Sequence, residues 1–307
     1  MKIVTLMGGC SPEREISIKS GITVSNGLRE LHHEVIEEDF SNDTYQKLRD
    51  IKPDLVFIVM HGSPGEDGTV QGMMDILGFP YTGSGVLASA LSSDKAALKK
   101  FLVGSEVNMA DWFFVPYGAS MDVVINRLSA QGMYYPVMVK PVSAGSTIGI
   151  MKVEREDKLW LAIEEARKYC PDVMVEEFVE GKEITVSIIG NRDPIVLPSQ
   201  EIVAEGGFYD YKAKYTPGKS SHIFPPRIEP SIVFEAEEMA ERAYVDIGCR
   251  GFARADFMVG IDNKPYFLEM NTIPGMTEVS LVPDAAREYG WSFEELLRRI
   301  VEYALER

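Results

Sequence analysis

The sequence predicts an α/β protein that opens with a doubly wound parallel sheet, and three observations carry that prediction. Two short apolar runs, from Lys2 to Met7 and from Leu55 to Met60, have strand length and end at the glycine-bearing turns Gly8-Gly9 and His61-Gly62. Helical patterns alternate with these strands, as they do where strands run parallel. At 307 residues the chain exceeds one ordinary core, so two or three packed domains are expected.

Composition narrows the functional classes. A hydrophobic share of 45% beside 25% charged residues is that of an ordinary globular chain and argues against bulk disorder. The net charge of −16 works against a broad basic surface, so nucleic acid is not an expected partner. An anionic ligand would have to be met locally by lysines, backbone amides or metal ions. Cys10, Cys170 and Cys249 form no CxxC pair, which speaks against a zinc site or disulfide framework and fits a reducing, cytoplasmic setting. The longest apolar run is too short to cross a bilayer and Met1-Lys2 leads straight into a strand, so neither membrane nor signal peptide is expected.

The elements follow in order. After the first strand, Ser11 reads as a helix N-cap with Pro12 at the first helical position. A strand near Glu34 to Glu37, a helix near Thr44 to Arg49 and the strand from Leu55 extend the doubly wound pattern. Ligands of such sheets sit beyond the carboxyl ends of the strands. A GGxS turn taken alone serves the turn as readily as a ligand, and it lacks the GxGxxG spacing of a dinucleotide site. Thr82-Gly83-Ser84-Gly85 breaks the pattern before a helix near Ser93-Asp94, which sets a boundary near residue 95. Strands are then expected at Val137 to Lys140, Ile148 to Val153, Val173 to Phe178 and Glu183 to Ile189, with a helix between Asp157 and Tyr169. The stretch from Pro198 to about Pro230 is long, irregular and rich in Gly, Pro, Ser and Tyr, and reads as a lid over about 201–230. An amphipathic helix carrying Ile232, Ala236, Met239, Ala243 and Ile247 stops at Gly248, and a final helix opens with the capping box Ser292 to Glu295.

Gly251 to Asn271 reads as two strands joined around Asp262-Asn263. Period-two alternation puts Arg254 and Asp256 on one face of the first strand, and Glu269 and Asn271 on one face of the second. Symmetric pairing about the turn sets Asp256 opposite Glu269 and Arg254 opposite Asn271. Facing carboxylates repel unless a cation lies between them, and Asp, Glu and Asn oxygens suit magnesium. The hairpin alone reads equally well as a solvated, charged sheet face. Lys140 precedes the small-residue loop Pro141 to Gly149, which can bring backbone amides against phosphate; alone, it is as readily a flexible turn, and it is not a Walker A loop.

Five stretches together carry a resemblance: SPEREIS (11 to 17), HGSPGEDGTVQG (61 to 72), YTGSGVLASALSSDK (81 to 95), FYDYKAKY (208 to 215) and LEMNTIPGMTEVSLVP (268 to 283). In this order they resemble the D-alanine:D-alanine ligases of the ATP-grasp superfamily. The resemblance implies three α/β lobes, 1–95, 96–185 and 186–307, with ATP between the last two. It implies ligation of two D-alanine molecules through a D-alanyl phosphate, releasing ADP and phosphate, for peptidoglycan precursor synthesis. Dimers are common in that family, so a homodimer is expected.

By the same resemblance, Asp256, Glu269 and Asn271 hold two Mg²⁺ or Mn²⁺ ions, and Lys95, Lys140 and the loop residue Lys214 contact ATP phosphates. Glu176, Glu177 and Val179 belong to the segment that receives adenine, and Glu183 matches the carboxylate on the ribose hydroxyls. Glu13 matches the partner of the first D-alanine's ammonium, with His61 lining that subsite; Ser146 and Tyr215 join Glu13 in latching the lid. Arg254 and the Gly275 amide match the oxyanion stabilisers, and Ser280 the hydroxyl that takes the second D-alanine's carboxylate. Val142-Ser143-Ala144 replaces a more polar run of the family, and Lys212 stands where some members carry glutamate. The intact loop tyrosine favours D-alanine over D-lactate as the nucleophile. Other readings remain open at this stage: an ATP-grasp ligase with a different acceptor, a non-catalytic nucleotide-binding regulator, and an NAD-linked enzyme.

Overall fold

The structure, a computed structural model, describes residues 1–145, 147–204 and 219–306. Ser146, Lys212, Lys214 and Tyr215 lie outside the described residues. Three sheets organise the chain. The first is parallel, with β1 (Lys2–Met7) between β2 (Glu34–Asp39) and β3 (Leu55–Ile58). Alternation sorts its side chains as expected. Ile3, Met7, Leu55 and Phe57 face Val24 and Leu28 of α1 (Arg14–Glu30) and Leu297 and Ile300 of the C-terminal helix Phe293–Leu305. Val4, Leu6, Val56 and Ile58 face Leu48 of α2 (Thr44–Ile51) and Met74 of α3 (Thr69–Leu77). Both faces are therefore covered by helices, which is why these strands read as continuous apolar runs.

The second sheet has the order β4 (Trp112–Val115), β7 (Val173–Glu177), β5 (Val137–Pro141), β6 (Met151–Val153). Val137, Val139 and Val175 pack under the helices Met121–Ala130 and Glu156–Ala166. Lys140 and Glu176, on the opposite face by alternation, turn towards the helix Lys95–Phe101.

The third sheet runs β11 (Ser220–Ile223), β10 (Gln200–Ala204), β8 (Gly181–Gly190), β12 (Gly251–Gly260), β13 (Pro265–Asn271), with the short β9 (Ile195–Val196) on β8. Ile184, Val186, Ala253, Ala255 and Phe257 pack against the helix Pro230–Ile247. The alternate residues Thr185, Arg254 and Asp256 are buried on the other face. The helix stops at Gly248, whose φ of +77° continues no helix.

Four expectations are corrected. The first helix begins at Arg14 rather than Pro12, because the Ser11 hydroxyl donates to the His61 carbonyl at 2.6 Å and accepts the Glu13 amide at 3.2 Å. Ser11 thus ties one loop to another instead of capping. The strand expected from Ile148 starts only at Met151, since Thr147 and Gly149 have φ of +62° and +73°. The irregular stretch after Pro198 is bounded by two paired strands, β10 and β11, running from Glu201↔Ile223 to Ala204↔Ser220. Of the capping box at Ser292, one half forms: Ser292 accepts the Glu295 amide, while the Glu295 carboxylate turns to Arg298 and Arg299.

Leu297, on the C-terminal helix, is fully buried against α1 and the first sheet. Leu297→Ala is expected to lower stability by about 2–5 kcal/mol, read as a shift in urea midpoint at unchanged slope.

Candidate functional site

A cavity of about 970 Å³ opens beyond the carboxyl ends of the first sheet. Its lining includes Glu13, His61 and Gly62, Lys95, the loop Ser143–Gly145, Ser220 and His222, and residues from Arg254 through Glu269, Asn271 and Gly275 to Ser280.

The hairpin β12–β13 supplies the cavity's charged wall, and its pairing is the one symmetry suggests. Asp256 faces Glu269 and Arg254 faces Asn271. The register holds through a compensation: the tight end pairs Val259 with Pro265, and a bulge after Asp256, where Phe257 pairs with Phe267, leaves Leu268 unmatched. Arg254 donates to both Asp256 oxygens, from Nε at 2.9 Å and Nη2 at 2.8 Å, and the Thr185 hydroxyl donates to Oδ1. Glu269 lies 3.3 Å from the Lys95 ammonium. Each opposed carboxylate therefore has its own cation. Asn271 accepts the Ile273 amide at 3.0 Å. Among the described residues no group of three or more His, Cys, Asp or Glu converges as a metal cage. Asp256, Glu269 and Asn271 nevertheless offer a shared face of hard oxygen donors, which fits a divalent cation completing its shell with water and phosphate oxygens.

At the other end Glu13 is buried. A Cβ at Gly62 (φ +70°) would stand 3.3 Å from its Oε2, and one at Gly145 2.9 Å away, so two backbone segments press on this carboxylate. Lys95 donates to the Ala144 carbonyl at 2.9 Å and holds the loop over the cavity. His61 is buried with Nδ1 3.4 Å from Glu66; its Nε2 has no hydrogen-bond partner among the described residues. Near Ser280, a Cβ on Gly275 would come within 3.0 Å of the Ser280 hydroxyl, which accepts the Thr277 amide at 3.0 Å.

Lys140, Glu176, Glu177, Val179, Glu183 and Asp256 are not on the lining of this cavity. All but Asp256 lie along β5, β7, the β7–β8 connection and the start of β8, where the second sheet gives way to the third. Glu176 is buried and ion-paired to both Lys140 and Lys99. Lys99 was missed in the sequence, although it lies one turn after Lys95 on the same helix. Burial pushes the Glu176 carboxyl up, yet Lys140 and Lys99 together hold it below its ordinary range. Burial lowers the Lys99 pKa despite the neighbouring carboxylate. The sequence also gave no weight to His222 and Asp284, which line the cavity beyond Ser280.

Two antiparallel sheets that meet at a lysine-lined cleft, beside a small-residue loop and a carboxylate-bearing hairpin, define the ATP-grasp class. Residues 31–84 match the family described as D-ala D-ala ligase N-terminus, and residues 104–302 that described as D-ala D-ala ligase C-terminus. The chain belongs to the D-alanine–D-alanine ligase family. It is 47% identical over 309 residues to the D-alanine–D-alanine ligase of Moorella thermoacetica, covering 100% of both chains. Among solved structures, the Bacillus anthracis D-alanine–D-alanine ligase complexed with ATP matches with a TM-score of 0.87 at 29% identity, over 100% of this chain and 98% of that one. The VanG D-Ala:D-Ser ligase from Enterococcus faecalis matches with a TM-score of 0.86 at 29% identity, over 99% of each chain.

Glu176→Gln leaves two buried ammoniums facing each other and is expected to cost about 3–5 kcal/mol in chemical denaturation. Because the folded carboxyl sits below its ordinary value of 4.5, its contribution is present above that pH and lost as pH falls through the folded value. The stability gap between wild type and variant should therefore narrow on acidification below about pH 4.5.

Proposed function

We propose that this chain joins two D-alanine molecules into D-alanyl-D-alanine with ATP as co-substrate. The observation that carries the reading is the gathering, in one cavity, of a buried carboxylate, a lysine-clamped loop, an arginine and a hydroxyl at a helix start. Glu13 holds the ammonium of the first D-alanine, and His61 lines that subsite. The substrate carboxylate attacks the γ-phosphorus, giving D-alanyl phosphate and ADP. The second D-alanine, its carboxylate on Ser280, gives one ammonium proton to solvent, attacks the acyl carbon through the free amine, and gives a second proton to the departing phosphate. The tetrahedral anion that forms collapses by expelling inorganic phosphate. Arg254 and the Gly275 amide donate to its oxyanion, a role worth about a hundredfold or more in rate per donor.

On the nucleotide side Lys95 and Lys140 meet phosphate, Glu176, Glu177 and Val179 frame adenine, and Glu183 takes the ribose hydroxyls. Asp256, Glu269 and Asn271 would hold two Mg²⁺ or Mn²⁺ ions, which when bound neutralise phosphate oxygens. Lys214 is assigned to the γ-phosphate, and Ser146 and Tyr215 to a latch with Glu13. The reading includes the division into lobes 1–95, 96–185 and 186–307, a cytoplasmic homodimer and a place in peptidoglycan precursor synthesis.

Phosphate release from Mg-ATP tests the reaction, with D-alanine, L-alanine, or D-alanine mixed with D-serine or D-lactate, and products identified by mass. D-alanine alone should release phosphate and yield the dipeptide; release only with another acceptor would replace the substrate, and no release in any mixture would remove the reading. Glu269→Gln should lower turnover by about a hundredfold or more while its unfolding midpoint stays near that of wild type. Near-normal turnover would dismiss the metal assignment.

A further inference from the structure

We propose that His222, oriented by Asp284, is a second recognition group for the carboxylate of the acceptor amino acid, beside Ser280. The inference rests on the ligase reading and adds to it a residue that the family motifs above do not contain. His222 and Ser220, two apart on β11, both line the cavity together with Ser280, Leu281 and Asp284. Asp284 lies one turn beyond Ser280 on the helix Leu281–Glu288, and its amide donates to the Ser280 carbonyl at 3.0 Å. Residues so spaced share a helix face, so the Asp284 carboxylate rises on the Ser280 side. The His222 Nδ1 lies 2.7 Å from Asp284 Oδ2.

That contact fixes the chemistry of the ring. A carboxylate at Nδ1 keeps the proton there and leaves Nε2, on the far side of the ring, for the cavity. Nε2 has no hydrogen-bond partner among the described residues. Asp284 also accepts from Arg287 Nη1 at 2.7 Å, so its charge is shared by two donors and is not left to repel an incoming anion. In its imidazolium form His222 presents Nε2–H, the donor that a carboxylate needs, and the bond is charge-assisted. The group read is the carboxylate, common to D-alanine, D-serine and D-lactate. His222 therefore contributes to acceptor affinity in general and not to the choice of acceptor side chain.

Two substitutions at one position separate binding from bracing. His222→Asn keeps an amide where Nδ1 meets Asp284 and removes Nε2, whereas His222→Gln places an amide near Nε2 and gives up the Asp284 contact. With D-alanine titrated through both of its saturation phases, His222→Asn should raise the second KM about tenfold or more. The first KM and the KM for ATP should stay within about twofold, and His222→Gln should recover part of the loss. Asp284→Asn, which keeps the hydrogen bond but removes the counter-charge, should raise the second KM by less and serves if the histidine variants fold poorly. An unchanged second KM in His222→Asn would make His222 a brace for the helix. A fall in kcat at constant KM would make it a proton-transfer group. Either result overturns the proposal. Wild-type protein that releases no phosphate with D-alanine would instead remove the ligase reading itself, and this proposal with it.

Discussion

Asp256 and Glu269 stand directly opposite one another across an antiparallel pair, and the site depends on how their repulsion is managed. β12 lies inside its sheet, between β8 and β13, so its two faces have different tasks. Ala253, Ala255 and Phe257 belong to the core under the long helix, while Arg254 and Asp256 belong to the site. A slip of one residue would send the charges into that core and bring alanines to the cavity. The bulge at Leu268 prevents this: it absorbs the offset introduced at the tight end and restores the pairing that matters. The cations then come from two directions, Arg254 from within the strand and Lys95 from the helix Lys95–Phe101.

The same arrangement explains how a chain of charge −16 can receive an anion without a basic surface. Its cleft lysines are already matched, Lys95 by Glu269 and Lys140 by Glu176, with Lys99 buried behind. Such pairing holds each ammonium in place and offsets part of the cost of burying it. Glu269 is partly exposed and its hold on Lys95 can loosen, whereas Glu176 is sealed between two lysines and cannot move without stranding both. The two lysines that sequence motifs treat alike are thus held by carboxylates of different freedom.

What the sequence disclosed follows the range of the interactions involved. Strand alternation, the stop at Gly248 and the pairing of Asp256 with Glu269 are set by neighbours a few residues away or by one turn, and all three were legible. Ser11 was misread because its hydroxyl is claimed by His61, fifty residues distant. β10 and β11 were passed over because Ser220-Ser221-His222 has no strand-like alternation and is held by pairing with β10. Lys99 looks like any helix lysine until β7 brings Glu176 to it. Glu13, His61, Lys95, Arg254, Glu269, Asn271, Gly275 and Ser280, singled out by the family resemblance, all line one cavity, yet motifs alone do not tell that Lys140 and Glu176 face into a buried network instead of the open cavity.

Glu13 shows how distant parts of the chain meet at one site. Its carboxylate belongs to the turn before the first helix, but its space is bounded by Gly62 from the first sheet and Gly145 from the loop of the second. A Cβ at Gly145 would fall 2.9 Å from the carboxylate and displace it, while Gly62 adopts a left-handed φ of +70° and its Cβ would also meet that of Ser11 at 2.9 Å. Lys95 fixes the same loop through the Ala144 carbonyl while facing Glu269 of the third sheet. A substrate ammonium placed against Glu13 would therefore meet walls contributed by three parts of the chain. The loop of residues 143–145 completes the wall beside Glu13, and Lys95 ties it down through the Ala144 carbonyl.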